Sequence, residues 1–146
     1  MPLVLGLDSS TQSVSAVVLD TDSDSIIHEE SVSFGVDLPF YGQPSGFIPG
    51  GENGEVHSDP MMWLDALELV FSRLAQSSVE MSDIVAVSGS GQQHGSVYLD
   101  EGFVDTVGSL DPRETLKGQI LSHLTRQTAP IWMDSSTTME CGEITR

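Results

Sequence analysis

The chain has 146 residues, the size of one ordinary domain, and its hydrophobic fraction of 38% includes no apolar run near the ~20 residues that span a bilayer, which excludes a helical membrane protein. Lys and Arg total 5 against 22 Asp and Glu, a formal net charge of -17. The basic residues Arg73, Arg113, Lys117, Arg126 and Arg146 stand singly, whereas neutralising phosphates takes clustered cations, so nucleic acids and anionic membranes are excluded as expected partners.

The start, MPLVLGLD, has no basic segment and no small-residue cleavage site, so no signal peptide is expected. The single cysteine, Cys141, allows no intrachain disulfide and reads as a small hydrophobe in a reducing, cytoplasmic setting. Residues 2–8, PLVLGLD, form an apolar run closed by an acid. Residues 14–20, VSAVVLD, form a second run, rich in the β-branched side chains that suit a pleated surface. Only Ser9-Ser10-Thr11-Gln12-Ser13 separates them, so the pair predicts a hairpin. After the turn Asp22-Ser23-Asp24, residues 25–33 predict a third strand and complete a three-stranded antiparallel meander.

Residues 35–58 are rich in Gly and Pro, have no period, and predict a long loop. Asp59 then offers an N-cap and Pro60 the first helical position. The stretch 61–76, MMWLDALELVFSRLAQ, predicts a helix with Trp63, Leu64, Leu67, Phe71 and Leu74 on its core face. Residues 83–89, DIVAVSG, predict a buried strand. It feeds a Gly-rich segment at its carboxyl end, where ligands bind in α/β sheets. Residues 96–99 read as extended, 109–128 as a weaker helix interrupted by Gly118, and 130–134 as a last short strand. This order predicts an α/β or α+β fold with a mixed sheet in one unit.

Three constellations can carry chemistry. Leu5 to Ser13 has no lysine and no P-loop spacing. An acid at the start of a hydroxyl-rich turn would repel a phosphate unless a cation sat between them. Asp8 and its hydroxyls therefore read either as a Mg²⁺-phosphate site or as an ordinary Ser/Thr turn opened by Asp. In Gly89-Ser90-Gly91-Gln92-Gln93-His94-Gly95, glycines let the backbone approach a ligand, and Gln and His suit sugar hydroxyls. The alternative is a His bracing its own loop. In Trp132-Met133-Asp134, an aromatic face beside an acid suits a sugar. The alternative is a core Trp and a helix-capping Asp. His28, His57 and His123 read as plain surface residues, and no metal-binding spacing occurs.

Together LGLDSSTQS, SGSGQQHGSVYLD and PIWMDSSTTMEC, with the helix opening HSDPMMW between the first two, resemble the N-terminal part of the FGGY-family carbohydrate kinases, nearest to those acting on xylulose. The resemblance implies an actin-like (ribonuclease-H-like) ATPase fold, of which residues 1–146 form an incomplete N-terminal domain. It implies ATP and Mg²⁺ as cofactors and transfer of the γ-phosphate to a ketopentose such as D-xylulose. Carried over by residue, Asp8 is catalytic and the metal ligand. Asp8, Ser10, Thr11 and Gln12 hold the ATP phosphates, and Gln93, His94, Trp132 and Asp134 meet the sugar. The chain departs from the family pattern at Ser9, Ser10 and Ser15. The family's catalytic base and adenosine pocket lie downstream of the resembling stretch, so these residues alone are not expected to turn over. Sugar and ATP are the implied partners, compatible with a homodimer. The alternatives are a non-catalytic actin-like or sugar-binding module, and a kinase of ribulose or glycerol; Gln93-His94 stands where a glycerol kinase would place Arg-Glu.

Overall fold

Alternating apolar and polar side chains over the first thirty residues build the centre of the molecule. A computed structural model describes residues 2–145. In it β1 (Leu3–Ser9) pairs antiparallel with β2 (Ser13–Asp20), and β2 antiparallel with β3 (Ser25–Ser33). The register sets Leu5 against Val18 and Leu7 against Ala16, so Leu3, Leu5, Val14, Ala16 and Val18 share one buried face.

The stretch read as a structureless loop has structure of its own. It contains the short helix α1 (Phe34–Asp37), a 3₁₀ turn at Pro39–Tyr41 and, at its end, β4 (His57–Ser58). Next comes α2 (Pro60–Gln76), started as expected: the Asp59 side chain accepts from Met61 N–H at 2.8 Å, and Pro60 takes the first position. Its deepest stripe is Met62, Ala66, Val70 and Leu74, each fully buried at i, i+4 spacing. Trp63, Leu67 and Phe71 are half-buried beside it, a correction to the expected core face by one residue. The reason is the small Ala66, which lets the helix settle on the sheet, while Leu64 turns toward a second cluster with Met61, Ile120 and Leu124. Removing a buried side chain such as Leu74 would cost about 2–5 kcal/mol. On the solvent side Arg73 ties α2 to the sheet, donating to Asp37 at 2.5 Å and to the Ser31 carbonyl at 2.7 Å.

β5 (Ile84–Gly91) runs parallel to β1, giving the sheet order β3-β2-β1-β5. Its register slips by one residue between Leu3 and Val4, where β5 carries an extra residue, Val85. The expected buried strand is instead an exposed edge, with Val85 68% and Val87 60% accessible. It pairs only with β1 among the described residues, whereas α2 packs mainly across β2 and β3 on the other side of the sheet order.

A short helix α3 (Phe103–Val107) precedes the predicted helix over 109–128, of which only α4 (Leu116–Ile120) and a 3₁₀ turn at Leu121–His123 form. Residues 111–114 fold back on Gln119, whose side chain accepts from Asp111 N–H at 2.7 Å and donates to the Asp111 carbonyl at 3.1 Å. The helix therefore starts only after Thr115, which caps Gly118 N–H at 3.0 Å. Of the expected strand 130–134, only Pro130 is paired: β6 (Ala129–Pro130) joins β4, and the chain then turns toward α5 (Thr138–Ile144). Cys141 is exposed rather than packed. No helix among the described residues is long and apolar enough to cross a membrane.

Candidate functional site

β1 ends at Ser9, and the chain reverses through a turn closed by Ser10 N–H on the Ser13 carbonyl at 2.9 Å. Because β5 is parallel to β1, with Asp8 opposite Ser90 and Ser9 opposite Gly91, the Gly-rich loop leaves the sheet beside this turn. Both segments sit at strand carboxyl ends. They line one cleft of about 340 Å³, with Asp8 to Thr11 from the turn, Gly91 to His94 from the loop, and Trp132.

Asp8 is held from both sides. Ser90 Oγ donates to its Oδ1 at 2.5 Å and Ser10 Oγ to its Oδ2 at 2.9 Å. Donors favour a carboxylate over its acid, so Ser90 first and Ser10 second hold the Asp8 carboxyl below the usual range. Gln92 Nε2 donates to the Ser10 carbonyl at 3.2 Å, a second tie between loop and turn. Trp132 Nε1 donates to Thr11 Oγ1 at 3.0 Å, joining the third motif to the first. The His94 backbone is left-handed, φ 63°, which is uncommon for a residue with a side chain, and no protein group hydrogen-bonds its ring among the described residues. A ring held this way has both nitrogens free for a ligand.

The loop after α1 supports the turn from behind. Gly46 has φ 84°, and a Cβ there would lie 1.6 Å from the Thr11 carbonyl oxygen. The Ser58 hydroxyl donates to the Gly46 carbonyl and pins the loop to β4.

Asp134 and Gln12 do not line the cleft. Asp134 neither faces it nor caps α5. Its Oδ2 accepts from Val56 N–H at 2.9 Å and lies 3.1 Å from His57 Nε2, while its Oδ1 accepts from Ser136 Oγ at 2.6 Å. The Ser136 hydroxyl, ahead of Val56 N–H and His57, holds the Asp134 carboxyl below its ordinary range. Gln12 has an exposed side chain, and its carbonyl accepts from Phe34 N–H at 3.0 Å. Two histidines read as surface residues are structural clasps: His57 Nδ1 meets Thr128 at 3.0 Å, and His123 joins Asp100 at 2.7 Å and Thr106 at 2.8 Å.

Sequence reading missed Ser90, Ser9, Gln92 and Gly46. Ser90 and Gln92 lay in a segment already singled out. Their role depends on which strand β5 pairs with and in what register, and local pattern carries neither.

Among the described residues no group of three or more His, Cys, Asp or Glu could hold a metal by itself. The cleft offers one ionised carboxylate, Asp8, flanked by hydroxyl oxygens. That set suits Mg²⁺, which keeps its waters and shares one or two carboxylates with substrate phosphates. It does not suit a closed all-protein cage.

No family model matches the chain. It is 44% identical over 143 residues to xylulose kinase 2 of Arabidopsis thaliana, covering 97% of this chain and 25% of that protein. It is likewise 44% identical over 142 residues to the xylulose kinase of Schizosaccharomyces pombe, again 97% of this chain and 25% of that one. The crystal structure of the xylulose kinase from Brucella ovis superposes with a TM-score of 0.66 over 97% of this chain and 23% of that chain, at 22% identity, which shows a shared fold. The chain thus spans about a quarter of the length of the curated relatives it matches. Its sequence matches the N-terminal quarter of these xylulose kinases.

Proposed function

We propose that residues 1–146 are the incomplete N-terminal part of an actin-like kinase domain in a protein that transfers the γ-phosphoryl group of ATP to a ketopentose such as D-xylulose. One observation supports this most: the Asp8 turn and the Gly91–His94 loop meet across a single cleft and are tied by the Ser90–Asp8 and Gln92–Ser10 hydrogen bonds. Phosphoryl transfer asks a protein mainly to position groups and to meet developing charge.

Each segment has a role. Asp8 is the carboxylate that would hold Mg²⁺, and Ser10, Thr11 and the backbone of the turn receive the phosphates. Mg²⁺, when bound, offsets phosphate charge next to Asp8. His94 and Gln93 bind sugar hydroxyls and the Trp132 ring packs on sugar C–H groups. A sugar hydroxyl oxygen forms the new bond to phosphorus, and the oxygen bridging to the β-phosphate leaves with the electron pair. The hydroxyl proton passes to a carboxylate supplied by the rest of the full-length protein. The lone exposed Cys141 fits a reducing cytoplasm.

The test is ADP release by the full-length protein with Mg·ATP and D-xylulose, D-ribulose or glycerol. D-xylulose should give the highest kcat/KM, and Asp8→Ala should lower kcat about 10²–10³-fold with little change in sugar KM. No ADP above the no-enzyme control with any of the sugars would overturn the reading.

A further inference from the structure

We infer that Trp132 is a positioning residue for the phosphate turn, acting through its N–H edge on the Thr11 hydroxyl; this rests on the kinase reading above. A threonine hydroxyl has one proton to donate and two lone pairs to accept with. The indole N–H can only donate, and at 3.0 Å from Thr11 Oγ1 it occupies one lone pair. No other group hydrogen-bonds that oxygen among the described residues, so the Thr11 proton is free to point into the cleft. Phosphate oxygens accept and do not donate, so a hydroxyl fixed in this sense is already set to meet one.

The neighbouring hydroxyls are set the other way. Ser10 and Ser90 both spend their protons on Asp8, so that corner offers lone pairs and negative charge, the surroundings a cation needs. The cleft therefore has an accepting corner at Asp8 and a donating one at Thr11, and Trp132 fixes the second. Trp132 also has a ring that is 55% exposed beside His94 in the same cleft. One side chain thus touches both halves: its face is open to the sugar side, and its edge holds the phosphate side. The sequence spacing of 121 residues between donor and acceptor means that only the folded cleft makes this link.

The test uses the full-length protein with Mg·ATP and D-xylulose, and it separates edge from face. Trp132→Phe keeps an aromatic face and removes the N–H. It should lower kcat about 3–10-fold, the worth of one hydrogen bond, while sugar KM moves less than about twofold. Thr11→Val, which removes both the acceptor of the indole N–H and the hydroxyl that meets the phosphate, should lose at least as much, and the double variant Trp132→Phe/Thr11→Val should be no worse than Thr11→Val alone, because the indole contact is already gone. Thr11→Ser keeps the hydroxyl and should stay near wild type, unless combined with Trp132→Phe. In the 146-residue chain, the Trp132 indole N–H signal should shift in Thr11→Val and hold its place in Thr11→Ser. Independent, multiplying losses in the double variant, or a Trp132→Phe enzyme altered only in sugar KM, would overturn this inference and leave the kinase reading intact. A full-length protein that phosphorylates no sugar would overturn both.

Discussion

Ser90 donates a hydrogen bond to Asp8 across 82 residues of sequence, binding the first strand of the fold to the last strand of the main sheet. A carboxylate is a strong acceptor, and a serine hydroxyl can rotate onto it. The contact stabilises the ionised form of Asp8 alone.

Its pH signature follows. The folded Asp8 carboxyl titrates below the ordinary value, so the contact contributes stability above the unfolded pKa of about 3.9, and this is lost as pH falls through the lower folded value. Ser90→Ala should raise the Asp8 midpoint toward the ordinary value and lower stability at neutral pH. Ser10→Ala should do the same less strongly. A carboxyl ¹³C titration of the 146-residue chain reads this directly, and an unmoved midpoint in Ser90→Ala would remove Ser90 from the site.

His94 should contact the sugar. His94→Ala in the full-length protein should weaken sugar use about tenfold or more, since an unmet hydroxyl adds to a lost hydrogen bond, while ATP KM stays near wild type. His94→Asn should recover part of the loss, because Asn keeps a donor and an acceptor and tolerates the left-handed backbone found here. If His94 only braces its loop, both variants should lower the melting temperature and leave the sugar KM of the folded protein unchanged.

Gly46→Ala should damage the phosphate turn from outside the cleft. The new methyl group would meet the Thr11 carbonyl oxygen at 1.6 Å, so backbone must move, and a left-handed φ adds to the cost. Destabilisation of about 1–3 kcal/mol or more is expected, with amide shifts centred on residues 9–13 and 43–58. Calorimetry and an amide spectrum of the 146-residue chain check this. A wild-type melting temperature would mean that the loop does not press on the turn.

Asp134→Asn should lower stability rather than sugar affinity. The amide keeps the size but puts a donor where Val56 N–H also donates and removes the charge facing His57. A loss of about 1–2 kcal/mol is expected, with sugar KM in the full-length protein moving less than twofold. The reverse outcome, normal melting and a tenfold higher sugar KM, would return Asp134 to the sugar side.

Much of this was legible in the residues, and the limits have a physical pattern. β1, β2 and the α2 start were readable because alternation, the Ser9–Ser13 turn and the Asp59-Pro60 cap are local signals. The hydroxyl turn and the Gly-rich loop were readable as segments for the same reason. The exposure of Val87 was not, because an apolar strand reads alike at a sheet edge and at a sheet centre. Nor was the placement of Asp134, whose partners Val56 and His57 lie more than seventy residues away. The break in the 109–128 helix turned on Gln119 bonding the Asp111 backbone in both directions, a choice that propensity does not reveal.

The extra residue early in β5 works as a vernier. Adjacent strands lie about 4.8 Å apart, so the sheet itself sets the gap between the Asp8 turn and the His94 loop, while the register sets which side chains look across it. Leu3 pairs with Ile84, but past Val85 every partner is displaced by one, so that Asp8 meets Ser90. Were Val85 paired with Val4 instead of bulging out, Asp8 would face Gly89, which has no hydroxyl, and His94 would sit one residue further along its loop. A valine left out of the pairing far from the cleft thus determines which atoms face each other inside it.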